Sequence, residues 1–423
     1  MSILSWVAVA VVLATVYALI KRWETRLVLI TAGLFLCVVS MNPMAGLNAF
    51  ASSMTKGGLI MSICSAMGFA YVMSYTKCDS SLVHYLATPI RGLGIFLIPV
   101  CTAITFFVNI AIPSAAGCSA AVGSTLIPVM LRAGIKPAAA AAAVLGGTIG
   151  SYLSPGTSHN PYVARMANME VIEFIGTHAK FSIMCGSILV VGLLIVCFVL
   201  GDHKGDKNAQ VDESKIKKDA DFTPNPLKAL IPLVPIVILV AGNMKWIPAF
   251  KMGVAQAMVI GAILGLIVAR VNPQDFCKQF FNGMGKGYAD VMGIIIAAGV
   301  FAAGLKTSGL IDAAVAALKE SNEIARWGGS LGPWMMGVIT GSGDAATLAF
   351  NETVTPHAKE FGMTIEGLGG LAFLTGALGR TMSPLAAAAI VVSGIAMANP
   401  VDVIKRTAVP CIIAVICCAL FMV

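Results

Sequence analysis

Thr340-Gly341-Ser342-Gly343-Asp344-Ala345 stands at the centre of an otherwise apolar segment, 327–357, and Pro113-Ser114-Ala115-Ala116-Gly117 stands at the centre of another, 92–133. Each segment has room for two helices, and each is too small and polar in its middle to run on as one. A helix that stops inside a bilayer leaves backbone N–H and C=O groups unpaired. That is tolerated only where the chain folds back within protein or lines a watery cavity. Both segments are therefore read as re-entrant hairpins.

The surrounding composition agrees with a bilayer setting. The 423 residues are 58% hydrophobic and 11% charged, with a mean hydropathy of +0.88, whereas a soluble domain carries about 25% charged residues. So few charges cannot cover a water-facing surface, which excludes a soluble enzyme and gives the fold class as an all-α polytopic membrane protein. Apolar stretches of spanning length, about 17–25 residues, fall at 2–20, 27–45, 57–76, 137–169, 181–200, 228–244, 251–269, 287–305, 366–398 and 407–423. That is about ten crossings besides the hairpins, with 2–20 read as a retained first span.

Cytoplasmic loops are enriched in Lys and Arg. Placing Lys21, Arg22 and Arg26 inside, with both hairpins re-entrant, also places inside Lys77, Arg91, Arg132, Lys136, Lys228, Arg270, Lys278, Lys286, Lys405, Arg406 and the lysines of the 201–227 linker. The opposite orientation keeps only Lys56, Lys180, Lys245, Lys251, Lys306, Lys319, Arg326 and Lys359. The first assignment wins. It makes the linker cytoplasmic and both termini periplasmic, opens the first hairpin from the cytoplasm and opens the second from outside. Lysines of the linker alternate with Asp206, Asp212, Glu213, Asp219 and Asp221, so the net charge of +8 marks a solvated loop and no nucleic-acid partner.

The two halves resemble each other. Residues 114–134, with Pro128, align without gaps on 342–362, with Pro356; 147–155 fall on 376–384 after a one-residue gap; Met166-Ala167-Asn168 meets Met397-Ala398-Asn399. This is the signature of inverted repeats. The first is 1–200, with hairpin 92–133 and broken helix 137–169; the second is 228–423, with hairpin 327–357 and broken helix 366–398.

Proline removes a donor and clashes with the preceding turn. Ser154-Pro155-Gly156-Thr157-Ser158-His159-Asn160-Pro161 and Gly379-Arg380-Thr381-Met382-Ser383-Pro384 therefore each split a span into two half-helices. One Ser-Pro in a span is ordinarily a kink. Four breaks in matched places point instead to a site, because each half-helix N-terminus carries about half a positive charge and hydroxyls nearby add donors. The substrate-binding candidates are Ser114, Ser154, Gly156, Thr157, Ser158, Asn160, Ser342, Gly343, Arg380, Thr381 and Ser383, and the ligand class is a small anion. Arg380 either pairs with Asp344 or Glu352 or clamps a carboxylate bidentately. Asp344 and Glu352 are candidates for a coupling proton, Asp344 equally for a sodium ligand, and His159 for a proton relay or a merely satisfied polar residue.

Nine of the eleven cysteines lie in apolar runs and read as small buried hydrophobes. No metal-ligand spacing, nucleotide-binding loop or nucleophile elbow appears, so no catalytic residue and no cofactor is expected beyond H+ or Na+ as the coupling ion.

From Gly299-Val300-Phe301-Ala302-Ala303-Gly304-Leu305, through Thr340 to Ala345, Leu378-Gly379-Arg380-Thr381-Met382-Ser383-Pro384 and Val403-Ile404-Lys405-Arg406-Thr407-Ala408-Val409-Pro410, the chain resembles the DcuC-type anaerobic dicarboxylate carriers. Leu126 to Met130 and Ala167 to Phe174 are similar too. The likeness covers most of the chain and is strongest from residue 290 on. It implies the ion-transporter superfamily architecture, a transport domain of hairpins and broken helices on a dimerising scaffold, an elevator-like movement, and succinate, fumarate or malate as substrate in a bacterial inner membrane. In that family the tip after Gly-Ser-Gly can be Asn and the first break reads Thr-Ser-Gly-Asp; this chain has Asp344 and Thr157-Ser158-His159-Asn160 there. A carrier for another small organic anion, a monocarboxylate or an amino acid, is the alternative.

Overall fold

Prolines set many of the helix starts. Pro43, Pro137, Pro226, Pro273 and Pro400 each occupy a first turn, where the missing N–H would have no intrahelical partner anyway. The computed structural model describes residues 3–21, 23–87, 93–205, 223–244, 246–313 and 322–422, and among these every regular element is helical. In chain order they are α1 (Ile3–Ile20), α2 (Thr25–Val39), α3 (Pro43–Met54), α4 (Gly57–Tyr75), α5 (Cys78–Ala87), α6 (Leu97–Ala111), α7 (Ala115–Arg132), α8 (Pro137–Gly147), α9 (His159–Met166) and α10 (Val171–Val199). The second half continues with α11 (Pro226–Asn243), α12 (Val254–Ala269), α13 (Pro273–Thr307), α14 (Asn322–Thr340), α15 (Gly343–Thr353), α16 (Ile365–Thr381), α17 (Ala387–Ala396) and α18 (Pro400–Phe421). Among the described residues 7 helices are long and apolar enough to cross a membrane.

Several boundaries differ from the sequence reading. The expected span 27–45 ends at Val39, and a turn with Met41 at φ 58° leads into α3. Asn48, Ser52 and Ser53 had lowered the hydropathy of α3 enough for it to read as a loop. The expected span 287–305 is the end of a 35-residue helix. Its start was hidden by Gln274, Asp275, Lys278 and Gln279, and a π turn over Gly287–Met292 joins the polar and apolar parts.

The repeat register also needs one correction. Asn168 and Met397 both adopt left-handed backbone, φ 55° and 52°, and each stands two residues before the N-cap of the next long helix, Glu170 and Asn399. The turn therefore matches Asn168 to Met397, the spacing that also relates Ser154 to Ser383. The Met-Ala-Asn match is two residues out of register, because the turn selects a backbone conformation and not a residue type.

The hairpins and broken helices share their cores. One cluster joins α6, α7 and α8 to α17, with Ala139 to Ala143 fully buried where α8 meets its neighbours. A second joins Ile149, Tyr152, Cys185 and Leu189 to α16 and α18. A separate cluster packs α4 against α11, α12 and the start of α13.

The beginning of the linker is not a solvated loop. Lys136 N donates to Asp202 O at 2.8 Å and Gly205 N to Gly134 O at 2.8 Å, and the fully buried Asp202 carboxylate takes two 2.9 Å bonds from Arg406. Burial of an acid demands such a partner. The linker's remaining charges, 206–222, lie outside the described residues, as do Arg22, Arg91, Lys245 and Lys319.

Candidate functional site

The second hairpin tip is fixed by glycine. Gly341 has φ +72°, and a Cβ there would stand 2.7 Å from Leu385 C in the facing helix break; a Cβ on Gly343 would stand 2.8 Å from Gly376 O. Only glycine allows both the left-handed backbone and this close approach. Ser342 then caps α15, its Oγ accepting from Ala345 N. The first tip is built alike: Ser114 caps α7, with Oγ accepting from Gly117 N at 3.2 Å. Gly156 of the facing break lies under this tip, where a Cβ would come within 3.3 Å of Pro113 and 3.2 Å of Ala66 in α4.

The two tips and two breaks enclose one cavity of about 380 Å³. Ser114, Gly156, Thr157, Ser158, Ser342, Gly343, Asp344 and Arg380 line it, together with Ser151, Tyr152, Phe373, Ala387 and Ala388. The N-termini of α7, α9, α15 and α17 thus all face it. Those of α9 and α17 lack a side-chain cap, so their N–H groups are free to meet an anion.

The charged lining consists of Arg380 and Asp344. Arg380 stands in the last turn of α16 and its Nη2 donates to Thr148 O at 3.2 Å and Oγ1 at 3.3 Å, at the end of α8. A cation is favoured at these two C-termini. No ion pair to Asp344 or Glu352 is present among the described residues, and Arg380 Nε is buried without a hydrogen-bond partner. Asp344, its side chain 60% exposed into the cavity, instead meets His159 Nε2 at 3.0 Å. His159 is buried, stacks on Phe373 with ring centroids 4.5 Å apart, and leaves Nδ1 unpartnered.

The remaining candidates stand behind the lining. Ser154 Oγ accepts from Gly156 N, and Ser383 Oγ accepts from Leu385 N, so both serines shape their breaks. Thr381 donates to Ala377 O and its carbonyl accepts from Thr407. Asn160 is a lock: Nδ2 donates to Tyr152 O and Ser154 O, both at 2.8 Å, and Oδ1 accepts from His178 Nε2 at 3.3 Å. Because that oxygen can only accept, His178 carries its proton on Nε2 and accepts from Ser182 at Nδ1, 2.9 Å away. Glu352 is elsewhere, paired with Lys56 at 2.9 Å. Sequence reasoning does not single out His178, Thr148, Phe373 or Lys56; the last three act through Arg380, His159 and Glu352, each more than 200 residues away, while His178 acts on Asn160 and Ser182 within its own half. Among the described residues no cluster of His, Cys, Asp or Glu could hold a metal ion.

A family model for C4-dicarboxylate anaerobic carriers, DcuC, matches residues 1–423. The chain belongs to the DcuC family. It is thus a multi-pass membrane transporter of that family, and its relatives are transporters rather than enzymes. A transporter of Haemophilus influenzae is 49% identical over 279 residues, 64% of this chain and 99% of that protein. The anaerobic C4-dicarboxylate transporter DcuC of Escherichia coli K12 is 25% identical over 97% of this chain and 94% of its own length. Two solved structures share the fold: Neisseria gonorrhoeae MtrF, described as illuminating a class of antimetabolite efflux pumps, with TM-score 0.62 at 13% identity over 90% of this chain and 83% of MtrF; and the Alcanivorax borkumensis YdaH transporter, with TM-score 0.59 at 15% identity over 89% and 86%.

Proposed function

We propose that this DcuC-family chain is a secondary carrier of four-carbon dicarboxylates such as succinate, fumarate and malate. It would work across the bacterial inner membrane by elevator-like alternating access of the hairpin body, coupled to protons. The observation that carries the reading is the single cavity faced by four half-helix N-termini and by Arg380. Its volume lies at the small end of the range of about 300–1,000 Å³ usual for small-molecule sites, and donors from both halves suit a ligand with an anionic group at each end.

The charge balance calls for a coupling cation, and the buried His159 in contact with Asp344 supports a proton in that role. With Asp344 ionised and His159 neutral, the side chains offer a dianion no net charge. One proton taken up by the Asp344–His159 pair leaves a net positive charge, so proton and dianion assist each other's binding. Sodium held by Asp344 and the tip carbonyls would act in the same electrostatic sense. The family likeness supports a homodimer, and the Lys/Arg map supports a cytoplasmic linker and periplasmic termini.

Proteoliposomes loaded with succinate are the direct test. Saturable counterflow of labelled succinate is expected, as is accumulation driven by an inward proton gradient and not by an inward sodium gradient. Accumulation driven by sodium alone would replace the coupling ion, and non-saturable flux would replace the carrier with a pore.

A further inference from the structure

Three of the helices that wall the central cavity continue outward to wall a second one, of about 260 Å³. On α4, Ile63 lines the inner cavity and Lys56, at its N-cap, the outer; on α9 the pair is Ser158 and Arg165; on α15 it is Asp344 and Glu352. At 1.5 Å per residue these separations all come to about 10–12 Å. The outer cavity therefore lies about two helical turns beyond the inner one along three shared walls.

Its polar groups are unevenly matched. Lys56 and Glu352 pair at 2.9 Å. Arg165 is exposed and has no ion-pair partner among the described residues, although Glu170 and Glu173 stand with it around a wider opening of about 550 Å³. Tyr162 is 2% exposed, lines the cavity, and its buried hydroxyl has no hydrogen-bond partner. A buried hydroxyl without a partner is costly, and Tyr162 shares the cavity lining with the exposed Arg165 guanidinium, so a buried donor lacking an acceptor and an unpaired cation face the same space. The chemistry that satisfies both is a carboxylate. Glu170 and Glu173 are exposed, so solvent screens their repulsion, whereas a carboxylate inside the cavity meets Arg165 and Tyr162 at contact range.

We infer that this outer cavity is a second substrate site, in which Arg165 and the Tyr162 hydroxyl hold one carboxylate of a dicarboxylate on its way to or from the central cavity. The other end of the ligand competes with Glu352 for Lys56. Since Glu352 belongs to the second hairpin and Lys56 to the start of α4, occupation of the outer site loosens the contact between them. The inference rests on the reading of the central cavity as the transport site.

The test uses thiol protection by succinate in a background lacking the native cysteines, with Met166→Cys reporting the outer cavity and Ser342→Cys the inner. Arg165→Gln is expected to raise the succinate concentration that half-protects the outer thiol at least tenfold while leaving the inner one within twofold. Tyr162→Phe, which removes only the hydroxyl, should raise the outer value severalfold. Arg380→Lys should shift the inner value and leave the outer. Outer protection unmoved by both Arg165→Gln and Tyr162→Phe overturns the inference, as does outer protection lost together with inner protection in Arg380→Lys. Inner protection unmoved by Arg380→Lys, with outer protection still dependent on Arg165, overturns the central reading and leaves the outer site standing.

Discussion

Arg380→Lys is expected to weaken equilibrium binding of succinate by about 1–3 kcal/mol in the purified protein. Arg380 already spends one arm on Thr148 and leaves Nε buried without a partner, with its charge facing the cavity. A planar fork can keep the Thr148 contact and still present parallel N–H groups to a carboxylate. A lysine ammonium is a point charge on a flexible stem, so it keeps the favourable cation at the ends of α8 and α16 but loses the paired geometry. Thermal stability should consequently change less than affinity. Unchanged succinate affinity with a lowered melting temperature would make Arg380 a staple between two helix C-termini and nothing more.

Asp344→Asn should separate exchange from accumulation. The amide occupies the same space and still hydrogen-bonds to His159, but it cannot alternate between charged and neutral forms. Succinate–succinate counterflow in proteoliposomes is expected to persist, while uptake driven by a pH gradient falls to the level seen without a gradient. His159→Gln should reproduce the loss of gradient-driven uptake. Persistent proton-driven accumulation in Asp344→Asn would remove the pair from the coupling mechanism.

The positions of the breaks were readable because they are local events. Ser114 and Ser342 stand at caps that any apolar helix would require at such a stop, and Ser154-Pro155 and Ser383-Pro384 end helices by proline chemistry that needs no tertiary context. Partners were not readable. His159 meets Asp344 across 185 residues and Lys56 meets Glu352 across 296, distances over which only the folded chain decides. For the same reason Asn160 read as a ligand donor, although in the structure both of its amide hydrogens are spent on holding the break in shape and its oxygen accepts from His178. Glu352 read as a candidate partner for Arg380 as one of two acids in an apolar segment, but two further turns of α15 carry it to the outer cavity instead.

The central claim is that both tips serve one site reached alternately from opposite sides. Cysteines placed singly at Ser114 and Ser342, in a background lacking the native cysteines, test it most directly when probed with a small thiol reagent under inward- and outward-biasing conditions. Succinate is expected to shield both thiols, and biasing the carrier is expected to change their reactivities in opposite directions, because the proposed carrier opens its two hairpins from opposite sides and in alternation. Shielding of one tip alone, or equal reactivity of both tips under every condition, would contradict the shared, alternately accessible site.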